Sequence, residues 1–155
     1  MMATNALIIY YSQYGDTAKL ASQIHKVTGC DILRIDVAPD VFSDDVFETE
    51  DIYKDQLASH TFPELITELP DLGFYDVILV GGPVWDGDVA SPVIALLNRL
   101  QGYKGLVVPF STASTDSRDY DQNFRDRAGS LHVGPGFHIV RNYSDAKLAS
   151  WLRKL

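Results

Sequence analysis

The run Ala6-Leu-Ile-Ile-Tyr-Tyr-Ser-Gln-Tyr-Gly-Asp-Thr17 passes from an apolar strand, through a hydroxyl-rich turn, into the helical pattern Ala18-Lys-Leu-Ala-Ser-Gln-Ile-His-Lys-Val27. A turn of this kind gathers several backbone N–H groups around one point, and the helix dipole adds partial positive charge there. Ser12, Gln13, Tyr14, Gly15, Asp16 and Thr17 include no Lys or Arg. An anion at this turn is therefore held by amides and hydroxyls alone. The Lys of a Walker A loop is missing, and with Gly15 as its only glycine the turn is not GxGxxG. The turn fits a monoester phosphate and disfavours ATP, GTP and the dinucleotides.

Outward from this turn the chain alternates apolar runs with amphipathic stretches. Strands are expected at Ala6–Tyr11, Asp31–Asp36, Asp76–Gly81, Gly105–Phe110 and His132–Val140. Val77-Ile-Leu-Val80 and Leu106-Val-Val108 are continuous apolar runs, as parallel strands covered on both faces require. Helices are expected over Thr17–Thr28, closed by Gly29, and over Glu50–His60. A short one is expected over Pro63–Leu69, a further one from the Ser91-Pro92 start to Leu100, then Ser117–Ala128 and a last one capped by Ser144. Tyr120, Phe124 and Ala128 share one helix face and read as core. The acidic piece Pro39–Asp51 reads as an irregular loop. The order β-α-β-α-β-α-β-α-β predicts an α/β fold. With strand order 2-1-3-4-5 it would be a three-layer doubly wound sandwich around a five-stranded parallel sheet, in one domain spanning 1–155.

Composition narrows the function classes. At 155 residues a single core can bury roughly two-thirds of the unfolded surface. No apolar run approaches the ~18–20 residues that cross a bilayer, and Met-Met-Ala-Thr-Asn has no basic leader character. Cys30 is the only cysteine, so no internal disulfide forms and a reducing cytoplasm is expected. It reads as an inert buried thiol. His25, His60, His132 and His138 are scattered without ligand spacing, and no metal site is expected. Residues 31–76 hold 13 of the 21 acidic residues against only Arg34 and Lys54, a net −11, while the remainder carries 11 basic and 8 acidic residues. Such a segment is a solvated face or a surface that steers basic redox partners. Nucleic acid and anionic membrane are poor partners for it.

In an open α/β sheet the ligand lies at the carboxyl ends of the strands, where the strand order reverses. Three loops qualify: Ser12–Thr17, then Gly82-Pro-Val-Trp-Asp-Gly-Asp88, and Ser111-Thr-Ala-Ser-Thr-Asp-Ser117. Trp85 can stack on a flat ring, or else close the top of the core. Gly82 and Gly87 let the backbone pass close to a ring edge, and Asp86 and Asp88 place negative charge beside it. The candidate set is Ser12, Gln13, Tyr14, Gly15, Asp16 and Thr17 for a phosphate. Pro83, Val84, Trp85, Asp86, Gly87, Ser111, Thr112, Ala113 and Ser114 join it for the ring. No residue is expected to act as a dedicated catalytic acid or base.

These residues resemble the flavodoxin-like FMN-binding family over essentially the whole chain. Its members carry Tyr-[Tyr/Phe]-Ser-x-Thr-Gly-Asn-Thr, matched by Tyr10 to Thr17. They continue with Tyr-Asp-x-Ile, matched at Tyr75 to Ile78, and Pro-Ile-Trp-Trp-Gly, matched at Pro83 to Gly87. Pro92-Val93 and Val108-Pro-Phe110 complete the series. The resemblance implies one FMN bound without a covalent link, its phosphate on Ser12–Thr17 and its ring between the second and third loops. Departures are Tyr14 for Thr, Asp86 for the second Trp, and Ala113-Ser-Thr-Asp116 for Ser-Gly-Gly-Ser. The Ser-x-Tyr-Gly turn is similar to that of the oligomeric, quinone-reducing members, which implies a homodimer and NAD(P)H-dependent quinone or nitro-compound reduction as the alternative to electron carriage. Partners are then FMN and a basic redox protein or small-molecule electron acceptor. A third reading keeps the fold as a flavin-free interaction domain. A response-regulator receiver is excluded, since Tyr10-Tyr11-Ser12 supplies none of the acidic residues it needs.

Overall fold

The computed structural model describes residues 5–117 and 119–155. Parallel strands β1 (Ala6–Tyr10), β2 (Asp31–Arg34), β3 (Val77–Trp85) and β5 (Leu106–Ala113) lie in the order β2-β1-β3-β5. The outer position beside β5 is shared by β6 (His132–Val133) and β7 (Phe137–Val140). The predicted doubly wound order is thus present, with its fifth strand broken in two. A short β4 (Asp88–Val89) folds back antiparallel on β3.

Alternation along the strands sorts the core into two layers. Leu7, Ile9, Ile78, Val80 and Val107 point to one face, where α3 (Ser91–Arg99) and α4 (Tyr120–Ala128) supply Val93, Leu96, Leu97, Tyr120 and Phe124. Ile8, Leu79, Val108 and Phe110 point to the other. There α1 (Asp16–Thr28) and α5 (Asp145–Arg153) bring Leu20, Ile24, Leu148 and Trp151. Each such side chain, once buried, contributes roughly 1.5–3 kcal/mol. Tyr120, Phe124 and Ala128 are core residues, as their spacing predicts.

Strands β3 and β5 run past their expected ends at Gly81 and Phe110 to Trp85 and Ala113, because Gly82 pairs with Ser111 and Pro83 with Thr112. Pro83 is tolerated there. Gly81 O accepts from Tyr11 N on the β1 side, and Pro83, two residues on, faces that same side beyond the end of β1, where no ladder bond is lost. Gly82 has a different task from the expected one. A Cβ at this position would meet Val93 Cγ2 at 2.6 Å, so the glycine admits α3 to the sheet rather than a ligand to the backbone.

Helix α2 (Val46–Ser59) begins four residues before the expected Glu50 and takes up the end of the acidic loop. Asp45 is the reason: its Oδ1 accepts from Phe47 N at 2.8 Å and Glu48 N at 3.2 Å. The expected helix over Pro63–Leu69 is absent. This segment is extended: Leu65 bridges Val37, Ile66 N donates to Asp36 O, and Asp36 N donates to Thr67 Oγ1. Glu64, Ile66 and Glu68 are exposed while Leu65, Thr67 and Leu69 are not, a period of two that outweighs the Pro63 start signal. Helix α3 has Ala90 rather than Ser91 at its N-cap. Cys30 is half-buried rather than fully buried.

The break in the outer strand is a bulge. Val107 pairs with Val133 and Phe110 with Phe137, so three residues, Gly134-Pro135-Gly136, oppose two on β5. Trp151 fixes it: the indole N–H donates to Pro135 O at 2.7 Å and the ring stacks on Phe137 at 5.2 Å. On the opposite face of the outer strand His138 Nδ1 meets Ser111 Oγ at 2.7 Å and Nε2 meets Asp121 Oδ1 at 3.0 Å, while Arg125 bonds the same carboxylate at 2.8 Å. Burial lowers the His138 pKa, with Arg125 adding to it, against the pull of Asp121. Burial alone would raise Asp121, yet Arg125 and His138 outweigh it and hold the carboxyl low. The histidine is therefore a neutral hydrogen-bonding link between β5 and α4.

Two outcomes follow from this packing. Trp151→Ala costs about 3–5 kcal/mol through cavity formation, read as a lower urea midpoint at constant slope. Because folded His138 protonates at lower pH than the unfolded chain, stability is intact above about pH 6.5 and declines as pH falls below it. His138→Gln flattens this part of the profile of melting temperature against pH.

Candidate functional site

Between the carboxyl ends of β1, β3 and β5 the chain leaves the sheet toward opposite faces, and a cleft of about 270 Å³ opens there. Ser12, Gln13, Tyr14, Asp16 and Thr17 line it from the first turn; Pro83, Val84, Trp85 and Asp86 from the second; Thr112, Ala113 and Ser114 from the third. Three predicted residues do not reach it. Gly15 shapes the turn instead, with φ of 104° at the N-cap of α1. Gly87 lies in the hairpin between β3 and β4, and Ser111 is fully buried against His138.

The first turn is fixed from both sides. Arg34 Nη2 donates to Ser12 O at 2.6 Å, anchoring the turn to the end of β2. Ser12 Oγ accepts from Gly15 N and Ala18 N, each at 3.2 Å. Among the described residues the amides of Asp16 and Thr17 have no protein partner, and such first-turn donors are those an anion takes. Thr17 Oγ1 lies 2.7 Å from Thr112 Oγ1, joining the first turn to the third. Among the described residues no Lys, Arg or His lines the cleft.

The second wall is aromatic. Trp85 meets Tyr11, Phe42 and Tyr53 edge-to-face at 5.9, 5.2 and 5.2 Å between centroids. These contacts hold it in place: it packs against the core cluster and lines the cleft at once. Tyr53 lines the cleft while its hydroxyl donates to Val89 O at 2.7 Å. Burial, reinforced by Asp88, pushes its phenol well above the ordinary value. Burial and Asp36 likewise raise Tyr11 to about 12, with Arg34 opposing. Both stay protonated at neutral pH.

The second loop is more ordered than its composition suggested. Asp86 and Gly87, with φ of 51° and 74°, form a two-residue hairpin turn of type I′ between Trp85 and Asp88. Asn123 of α4 donates to Gly87 O at 3.0 Å, so that carbonyl is committed to the helix. Asp88 is not a charge beside the cleft as expected: Arg127 pairs with it at 3.0 Å. Asp86, Asp16 and Glu50 are the carboxylates that line the cleft, the last paired with Lys54 at 3.1 Å.

One wall escaped the sequence reading. Val46, Thr49, Glu50 and Tyr53 of α2 border the cleft with i, i+3, i+4, i+7 spacing. Asp45 followed three residues later by Glu48, ahead of that stripe, is the signal that finds it. Val46 and Tyr14 stay 58% and 63% exposed at the cleft.

Several known proteins are similar to this chain. The chain is 31% identical to a flavoprotein from Lactobacillus acidophilus NCFM crystallised in complex with FMN, at a TM-score of 0.87, covering 97% of this chain and 99% of that one. The apo-form of the flavoprotein from Lactobacillus acidophilus NCFM, determined by NMR, gives 32% identity, a TM-score of 0.74 and coverage of 97% and 99%. An NAD(P)H dehydrogenase (quinone) of Azorhizobium caulinodans is 30% identical over 98 residues, which are 62% of this chain and 46% of that protein. This chain thus matches less than half the length of that relative. The flavodoxin family model matches residues 5–155, and by this match, with the strand order and the cleft at its reversal, the chain belongs to the flavodoxin family.

Proposed function

We propose that the protein binds FMN in this cleft and transfers electrons. The observation that carries the reading is the pairing of two partnerless helix-start amides with an aromatic wall in one crevice. The likeness to a flavoprotein solved with FMN supports it. The residues suit the group: the Asp16 and Thr17 amides and the Thr17 hydroxyl would take the phosphate, and Trp85, Pro83, Val84 and Ala113 would flank the ring. The volume lies just below the roughly 300–1,000 Å³ of small-molecule sites.

FMN, when bound, supplies one- and two-electron redox chemistry. The chain contributes binding, orientation and field. Asp16, Glu50 and Asp86 disfavour additional negative charge beside them, which lowers the potential of a group reduced there. Tyr53 remains a protonated phenol engaged with the backbone, so it shapes the wall and moves no proton. The acidic face over residues 31–76 supports a basic redox protein, or a small-molecule acceptor, as partner. A single domain in a reducing cytoplasm, paired as a homodimer, completes the reading.

The purified protein takes up one FMN per chain on titration, and Gly15→Val lowers that affinity about tenfold, because a β-branched residue at φ of 104° strains the turn by ~1–3 kcal/mol. A protein that gains no flavin absorbance sinks this reading in favour of a flavin-free interaction domain. The match to an NAD(P)H dehydrogenase (quinone) supports a second reading, reduction of quinones with NAD(P)H. On that reading the FMN-loaded protein oxidises NADH or NADPH steadily once a quinone is added; absence of turnover leaves it an electron carrier.

A further inference from the structure

We propose that Thr112 is a positioning residue for the anion subsite and acts there through Thr17. The inference rests on the reading of the cleft as a flavin site, and it moves Thr112 from the ring, where the third loop was expected to serve, to the phosphate. Both residues line the cleft, Thr17 and Thr112 are 1% and 7% exposed, and their hydroxyl oxygens lie 2.7 Å apart. A hydroxyl carries one hydrogen and two lone pairs. If Thr17 donates to Thr112, its hydrogen is spent within the protein. If Thr112 donates to Thr17, the Thr17 hydrogen is free to face the helix start, beside the partnerless Asp16 and Thr17 amides.

An anion selects the second arrangement. The chain Thr112 O–H to Thr17 Oγ1, and Thr17 O–H to a phosphate oxygen, polarises in one direction, and each bond strengthens the next. Among the described residues no cation lines the cleft, so the strength of this one neutral donor carries more weight than it would beside a lysine. Thr112 is itself held in place: within β5 it stands between Pro83 of β3 and Ile139 of β7, and Ser111 before it is anchored by His138. The donor geometry is therefore set by the sheet and not by the ligand.

The test titrates flavin-free protein with FMN and with riboflavin, which lacks the phosphate. Thr112→Val, close to isosteric, is expected to weaken FMN roughly 3- to 10-fold, the range of one net hydrogen bond, and to leave riboflavin within twofold. Thr17→Val weakens FMN at least as much, and adding Thr112→Val to it causes no further loss. Thr112→Ser keeps the hydroxyl and restores the wild-type affinity. Equal loss for both flavins, no loss for FMN, or additive losses in the double variant each overturn the inference. If Thr112→Val does not fold, the comparison of Thr112→Ser with Thr112→Ala decides by the same FMN-to-riboflavin ratio. A wild-type protein that binds neither flavin removes the flavin reading and this inference together, whereas FMN binding indifferent to Thr112 removes this inference alone.

Discussion

Parallel pairing of β1 with β3, while the chain leaves their carboxyl ends toward opposite faces, is the constraint on which the site depends. Hydrogen bonding holds the two strand ends about one sheet spacing apart, ~4.8 Å. The connections diverge to α1 on one face and to the β4 hairpin and α3 on the other. A crevice must open between them. No other residue has to be arranged to create it; the remaining side chains determine what it accepts.

What it accepts is governed by an unusual balance of charge. The turn offers backbone donors and hydroxyls, while Asp16, Glu50 and Asp86 border the same space. Attraction at the helix start is local, falling off within the first turn, and the carboxylates extend along the cleft. Backbone donors are thus gathered at one point of the cleft while carboxylates border the rest of it. Its rigidity comes from outside the cleft: Arg34 holds the first turn, Asn123 the hairpin, and the Ser111–His138–Asp121 link β5.

Much of this was legible in the residues. The alternation of strands and helices followed from continuous apolar runs separated by helical patterns, and the first turn from its place between such a run and a helix. Twelve of the fifteen predicted site residues line the cleft. The misses have particular causes. Hydrophobic spacing over Leu65 and Leu69 fits a helix as well as an extended chain, and only pairing with Val37 decides. Val46 to Tyr53 needed the cap at Asp45 to be read first. Asp86-Gly87 is a standard hairpin signal that a glycine-rich loop disguised. The partner of Asp88 lies 39 positions away at Arg127, a pairing that no local pattern reveals.

The extra residue at Gly134-Pro135-Gly136 has a consequence for solubility as well as for packing. It falls on the outermost strand, where unpaired amides and carbonyls would otherwise form a straight template for another chain. The kink shifts the register by one between its two halves, and Pro135 removes a donor at the break. A neighbouring strand would meet a bent, interrupted border here, which disfavours strand addition on that side of the sheet.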